Sequence, residues 1–341
     1  MAESGAVDFH AHLVPDCVWR AAETGDDSYR LGVTIEESES GQLLVIPGQR
    51  KAPTSRERRI TLADRLAKMD ETRVGMQVLS MSPLLLRYDQ DVDLARQMCR
   101  DVNADIAATV SGNPDRFNGL ATLPVQDVDA AIAELEYAKS TLGLAGAQLD
   151  TRPGDIAWDD PKFEPLFGAA EELGAILFFH PSYSLVWQLS GRYHLGNTIG
   201  NPAEDILVAA ALIYGGVLDR HPTLACLIAH GAGPLCFGAG RLDRGWLARP
   251  EARNTLNSPP SRYLRRLYYD CITWSGPALR FLIDTVGADR VVLGSDFPYD
   301  MGPDDPVAWL ESLDEITSEE KDLILRGNAS ELLTLAMFAH V

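Results

Sequence analysis

The sequence predicts an α/β fold, a single (β/α)8 TIM barrel with a small β insertion after its first strand. Three observations lead there. Eight short, β-branched apolar runs alternate with longer amphipathic segments, the pattern of a parallel sheet. The first run ends in His-Ala-His, not in the glycine-rich loop that a doubly wound open sheet, the alternative, usually carries there. A length of 341 residues also fits one such barrel.

In chain order, strands are predicted at Val7–His10, Met76–Ser80, Gly119–Leu123, Gly146–Leu149, Ile176–His180, Leu224–His230, Leu267–Asp270 and Val291–Asp296. Helical patterns lie between them, among them "DVDAAIAELEYAKSTL", "PKFEPLFGAAEELG" and "SGPALRFLIDTVG". The second opens at Pro161 and closes near Gly174, a normal start and stop pair. The stretch from about 20 to 59 breaks the rhythm. It is polar, with alternation in "LGVTIEES" and "GQLLVIPG" around Ser40-Gly41, which reads as a hairpin on the barrel rim. Residues 1–341 are therefore expected to form one domain bearing that insertion.

Composition narrows the partners. The formal net charge is −19, and no basic stretch is dense enough to attract a phosphate backbone, so nucleic acid is excluded. An anionic substrate would need local arginines. Five scattered cysteines without a CxxC pair suggest free thiols in a reducing compartment. The N-terminal "MAESGAVDFH" lacks the basic and apolar regions of a secretory signal. The longest apolar run, "ILVAAALIYGGVL" from Ile206, is too short for a bilayer. A cytoplasmic protein without a membrane partner is expected.

In a barrel the C-terminal strand ends share one mouth. His10 and His12 close the first predicted strand, and their spacing of two puts both side chains on one face. His180, His230 and Asp296 end the fifth, sixth and eighth strands. A lone strand-end histidine is usually a packing residue, and Asp296 before Phe-Pro could start a turn. Four of the seven histidines at converging positions are harder to attribute to packing. Three imidazoles with a carboxylate suit a first-row divalent ion, zinc first and manganese second.

The motifs "DFHAH", "FHP", "AHGAG" and "LGSDFP" resemble the amidohydrolase superfamily in its amidohydrolase-2 branch, over nearly the whole chain. Within it, "GNPAED", "GRLDRGW", "PSRYLRRLYYD" and "RGNAS" are most similar to the aminocarboxymuconate-semialdehyde decarboxylases. The resemblance implies that His10, His12, His180 and Asp296 hold the metal, with His230 as acid/base. It also implies that Arg241 and Arg249 reach into a neighbouring subunit to grip a substrate carboxylate, hence a homodimer. Their plainer reading is an interface salt bridge.

Two departures bear on the substrate. Ser182 in "HPSYS" stands where the family has tryptophan, and "YHLGNTIGNPAED" replaces a tryptophan-rich stretch. The family's insertion arginine falls near Pro53, leaving Arg50 as the nearest substitute. At the fourth strand, "GAQLDTRPG" offers Gln148 and, two residues late, Asp150, but no lysine or glutamate to bridge a second ion. One metal is expected. The resulting expectation is a metal-dependent non-oxidative decarboxylase of an unsaturated or aromatic carboxylic acid, in which water acidified by the ion works with His230 and Asp296. A hydrolase of an amide, ester or lactone, or a hydratase, would use the same first step. A barrel retained only for binding is the remaining alternative.

Overall fold

The computed structural model describes residues 5–39, 41–47, 54–182, 193–253 and 255–338. Eight parallel strands form the central sheet. They are β1 (Ala6–Leu13), β5 (Val74–Met81), β6 (Phe117–Ala121), β7 (Gly146–Asp150), β8 (Ile176–His180), β9 (Ala225–Ile228), β10 (Tyr268–Asp270) and β11 (Val291–Val292), adjacent in that order. Parallel bridges Asp8–Leu293 and Ala11–Phe297 bring the last strand's segment back to β1 and close the barrel. The remaining three strands, β2 (Thr34–Ser38), β3 (Gly41–Pro47) and β4 (Thr54–Arg58), make a separate antiparallel sheet.

The helices are α1 (Asp16–Thr24), α2 (Leu62–Glu71), α3 (Val92–Gly112), α4 (Val128–Ser140), α5 (Glu164–Glu172), α6 (Asn201–Tyr214), α7 (Val217–Arg220), α8 (Leu235–Ala248), α9 (Gly276–Val286), α10 (Pro306–Glu311), α11 (Ser318–Asp322) and α12 (Asn328–Phe338). Their starts follow local chemistry. Thr61, Asp91, Asp127 and Ser275 each accept a backbone N–H of the first turn of α2, α3, α4 and α9, satisfying amides that have no partner within the helix. Among the described residues no helix is long and apolar enough to cross a membrane. All five cysteines are buried and unpaired.

The alternation of β-strand side chains divides the core in two. Residues facing outward pack under the helices. Val7, Phe9, Val78, Leu120, Ile176, Phe178, Leu227 and Val292 fill the barrel, joined by Ala329, Leu332, Leu333 and Ala336 of α12. Burying a side chain such as Phe178 contributes about 1.5–3 kcal/mol. Its ring also forms the floor of the mouth, edge-on to His10 with centroids 4.9 Å apart.

Several boundaries differ from the sequence reading. β1 runs on to Leu13, so His10 and His12 lie within the strand. β6 begins and ends two residues early. β9 stops at Ile228, because His230 adopts a left-handed backbone with φ 52°. The last strand shrinks to two residues: the amides of Ser295 and Asp296 turn inward to the His10 carbonyl, and Asp296 sits at φ 60°. The insertion is a three-stranded sheet rather than a hairpin. Its third strand, "TSRER", is polar throughout and carries no apolar alternation to reveal it. Ser40, Arg50 and Pro53 lie outside the described residues.

Candidate metal centre

Three imidazoles and one carboxylate converge at the barrel mouth. His10 and His12 come from β1, His180 from the end of β8, and Asp296 from the turn after β11. One ligand atom from each lies within 4.8 Å of all the others, and all four residues are buried. Nε2 of His10 is 3.0 Å from Nε2 of His12. Oδ1 of Asp296 lies 3.3 Å from both and 3.9 Å from Nε2 of His180.

The opposite ring nitrogens explain why these atoms face one another. His180 Nδ1 donates to the Pro181 carbonyl at 2.9 Å. His10 Nδ1 donates to Asp270 Oδ2 at 2.7 Å. The Ser80 hydroxyl donates to the Ala11 carbonyl and accepts from His12 Nδ1 at 2.9 Å. His12 and Ser80 are register partners on β1 and β5, so strand pairing sets this contact. With the three protons on Nδ1, three Nε2 lone pairs point at a common volume beside a carboxylate, which is the arrangement that a metal-binding histidine cluster requires.

The electrostatics fit a cation. Nε2 of His180 and Oδ1 of Asp296 are buried without a hydrogen-bond partner, an expensive arrangement unless something positive joins them. Burial pushes the Asp296 carboxyl up, but the His10 and His12 imidazoles outweigh it and hold the group well below its usual range. Burial pushes His12 down to about 4 and drives His180 well below its usual value. Burial opposes charge on His10 too, but Asp270 and Asp296 raise it to about 10. The cluster therefore favours positive charge at its centre, and a divalent ion would supply it in place of the His10 proton.

His230 stands beside the cluster. Its ring centroid is 5.1 Å from that of His180 and 5.5 Å from that of His10. Nδ1 lies 2.9 Å from Oδ2 of Asp205 on α6, and the backbone N–H donates to Asp270 Oδ2 at 2.9 Å. Burial lowers the His230 pKa, but Asp205, Asp270 and Asp296 together raise it above the ordinary imidazole value. His230 and Asp296 line a cavity of about 710 Å³ whose walls include Ile272, Trp274, Phe281 and Met301. A second cavity, of about 330 Å³, opens on the insertion side of His12, between Trp19, Glu57, Arg59 and Tyr299.

The other sequence candidates sit elsewhere in the chain. Arg241 is exposed on α8, and Arg249, just past that helix, donates to Glu251 at 2.7 Å. Neither lines the large cavity. Gln148 donates its amide to the Met81 carbonyl at 3.0 Å, and Asp150 accepts from the backbone and hydroxyl of Ser182; neither belongs to the cluster. Sequence reasoning missed Asp205, Asp270, Ser80 and Arg65. The last is buried and donates to the His12 carbonyl at 2.6 Å and to Gln77 at 2.8 Å. Asp270 left a trace, since a carboxylate closing an otherwise apolar strand needs buried partners. Asp205 closes the "GNPAED" motif, which by itself signals no role for it, and Ser80 and Arg65 left no trace.

A closed parallel barrel with a histidine-carboxylate cluster at its mouth defines a metal-dependent barrel protein. The amidohydrolase family profile (amidohydrolase-2) matches residues 7–335, and the chain belongs to that family. It is 35% identical over 277 residues to 2-amino-3-carboxymuconate-6-semialdehyde decarboxylase of Dictyostelium discoideum, covering 80% of this chain and 76% of the relative. It is 30% identical over 293 residues to gamma-resorcylate decarboxylase of Rhizobium sp., covering 80% and 86%. The fold matches that of a dihydroxybenzoic acid decarboxylase from Polaromonas sp., a structure with bound manganese and 2-nitroresorcinol. That match has a TM-score of 0.79 and 22% identity, over 97% of each chain.

Proposed function

We propose that this chain is a metal-dependent, non-oxidative decarboxylase of an aromatic or unsaturated carboxylic acid. The observation that carries the reading is the convergence of three Nε2 lone pairs and Asp296 beside His230, at the head of a cavity with apolar walls. The names of the curated relatives, a semialdehyde decarboxylase and a resorcylate decarboxylase, support the reaction type.

His10, His12, His180 and Asp296 would hold one divalent ion. That ion would act as a Lewis acid, polarising an oxygen of the bound acid. Zinc suits three imidazoles and a carboxylate, and the manganese in the Polaromonas structure makes that ion the second candidate. His230 delivers a proton to the carbon that bears the carboxylate. The bond to the carboxylate carbon then breaks, its electron pair returns to the ring or double bond, and carbon dioxide leaves. A solvent proton restores His230. Ile272, Trp274 and Phe281 hold the apolar body of the acid and exclude water.

The described lining of that cavity contains no arginine or lysine. Phe237 on its rim is 86% exposed and lies one helical turn before Arg241, on the same face of α8. A homodimer packed on this face would cover Phe237 and bring the partner's Arg241 and Arg249 to the substrate carboxylate, as charge-assisted bonds require. The buried, unpaired cysteines support a reducing compartment, the cytoplasm.

The test is product analysis with metal-loaded protein on a panel of hydroxybenzoic, muconate-type and vanillate-type acids, beside lactones and amides. Carbon dioxide from the acids supports the reading. Opening of lactones or amides with no carbon dioxide from any acid replaces it with a hydrolase.

A further inference from the structure

His230 is gripped from two sides. Its backbone is left-handed at φ 52°, followed by Gly231 at φ 59°. The two N–H groups of this turn donate to opposite oxygens of one carboxylate, His230 to Asp270 Oδ2 at 2.9 Å and Gly231 to Asp270 Oδ1 at 3.0 Å. A side chain bearing a Cβ keeps such a backbone only where its surroundings over-determine it. The ring is then held independently by Asp205 at 2.9 Å.

Asp205 has no evident structural reason to be acidic. It lies in the second turn of α6, whose helical path already runs from Gly196, so no open helix start needs its oxygens. It is fully buried, and its Oδ1 has no hydrogen-bond partner among the described residues. The neighbouring Glu204 is equally buried but meets Arg152 Nε at 2.8 Å. A carboxylate taken out of water carries a large desolvation penalty, which an apolar residue packed there would avoid. The His230 ring is what the Asp205 carboxylate serves.

We propose that Asp205 is the positioning residue for His230: its carboxylate fixes the proton on Nδ1 and turns Nε2 toward the cavity as the nitrogen that exchanges a proton with substrate. Asp205 is neither among the four clustered residues nor in the cavity lining, and it acts through the imidazole. It also balances the charge that His230 carries each time it holds two protons. This assignment rests on the proton-transfer role given to His230 above.

The test uses the zinc-loaded protein and its Asp205→Asn and Asp205→Glu variants. Nitrogen-15 NMR of the His230 side chain reports the tautomer without any substrate, metal analysis reports the site, and kcat and KM report turnover. At a pH high enough to leave the ring neutral, the expected wild-type signal is Nδ1–H with an unprotonated Nε2. Asp205→Asn should mix or invert the tautomers and lower kcat at least about 100-fold, with metal content retained and KM changed less than about threefold. Asp205→Glu should restore Nδ1–H and part of kcat. A neutral wild-type ring that carries its proton on Nε2, or an Asn variant with unchanged tautomer and kcat, overturns the assignment. If no acid is turned over by any of the three proteins, the decarboxylase reading fails while the NMR result still decides the role of Asp205.

Discussion

His10 Nδ1 and Asp270 Oδ2 are 2.7 Å apart, and neither residue is exposed. The same carboxylate holds the backbone of His230 and Gly231, so one strand-end aspartate orients both a candidate ligand and the candidate acid/base. Carboxylates behind metal-binding histidines typically govern affinity by 10–100-fold. Asp270→Asn should therefore weaken divalent-ion binding by about that factor, measured by competition with a chelating dye. Unchanged affinity would mean that the His10 ring is oriented by packing alone.

His230→Asn should abolish turnover while leaving metal content close to wild type, because its ring lies beside the four clustered residues and not among them. Elemental analysis of the purified variant decides this. Metal loss would make His230 a ligand.

The Gly294 backbone packs directly against His10 and Asp270. A Cβ there would come within 2.9 Å of the His10 Cβ and 3.0 Å of the Asp270 Cβ, neither of which can swing away. Gly294→Ala should displace the pair, lower metal affinity and cost about 1–3 kcal/mol of stability by overpacking. Equal metal affinity and unfolding midpoint in the variant would show that the strands yield without disturbing the site.

Glu57 ties the insertion to the barrel, accepting from Tyr299 at 3.1 Å and from Ser82 at 3.3 Å. Burial pushes its carboxyl up to about 7, against those hydrogen bonds. The folded protein therefore keeps a proton that the unfolded chain releases above about 4.5. The stabilising contribution is complete below that pH and is lost as pH rises through about 7, with an amplitude up to about 3 kcal/mol. Urea unfolding at intervals from pH 4.5 to 8 should show the wild type losing stability relative to Glu57→Gln across this window. Parallel curves would place the Glu57 titration elsewhere.

Arg249→Ala should raise KM for an acidic substrate, and mixing it with His230→Asn should recover activity if each site takes its arginine from the other subunit. No recovery in the mixed dimers would remove Arg249 from the neighbouring site.

The barrel is legible in the sequence because strands buried on both faces are short apolar runs between amphipathic helices. Its boundaries are not, where backbone geometry decides them. The amides of Ser295 and Asp296 leave the ladder for the His10 carbonyl, which no hydrophobic pattern records. The third insertion strand is held by register with β3, which its composition does not reveal. Histidines and Asp296 are conspicuous because few roles suit them at strand ends. Asp205 and Arg65 look like ordinary helix residues until folding buries them against His230 and His12.

The central claim, one ion serving one decarboxylation site, is tested most directly by titrating metal-free protein with zinc or manganese while following labelled carbon dioxide from a carboxyl-labelled aromatic acid. Release should rise with added ion and saturate at one ion per chain. Release that needs two ions per chain, or full release without any, would contradict it.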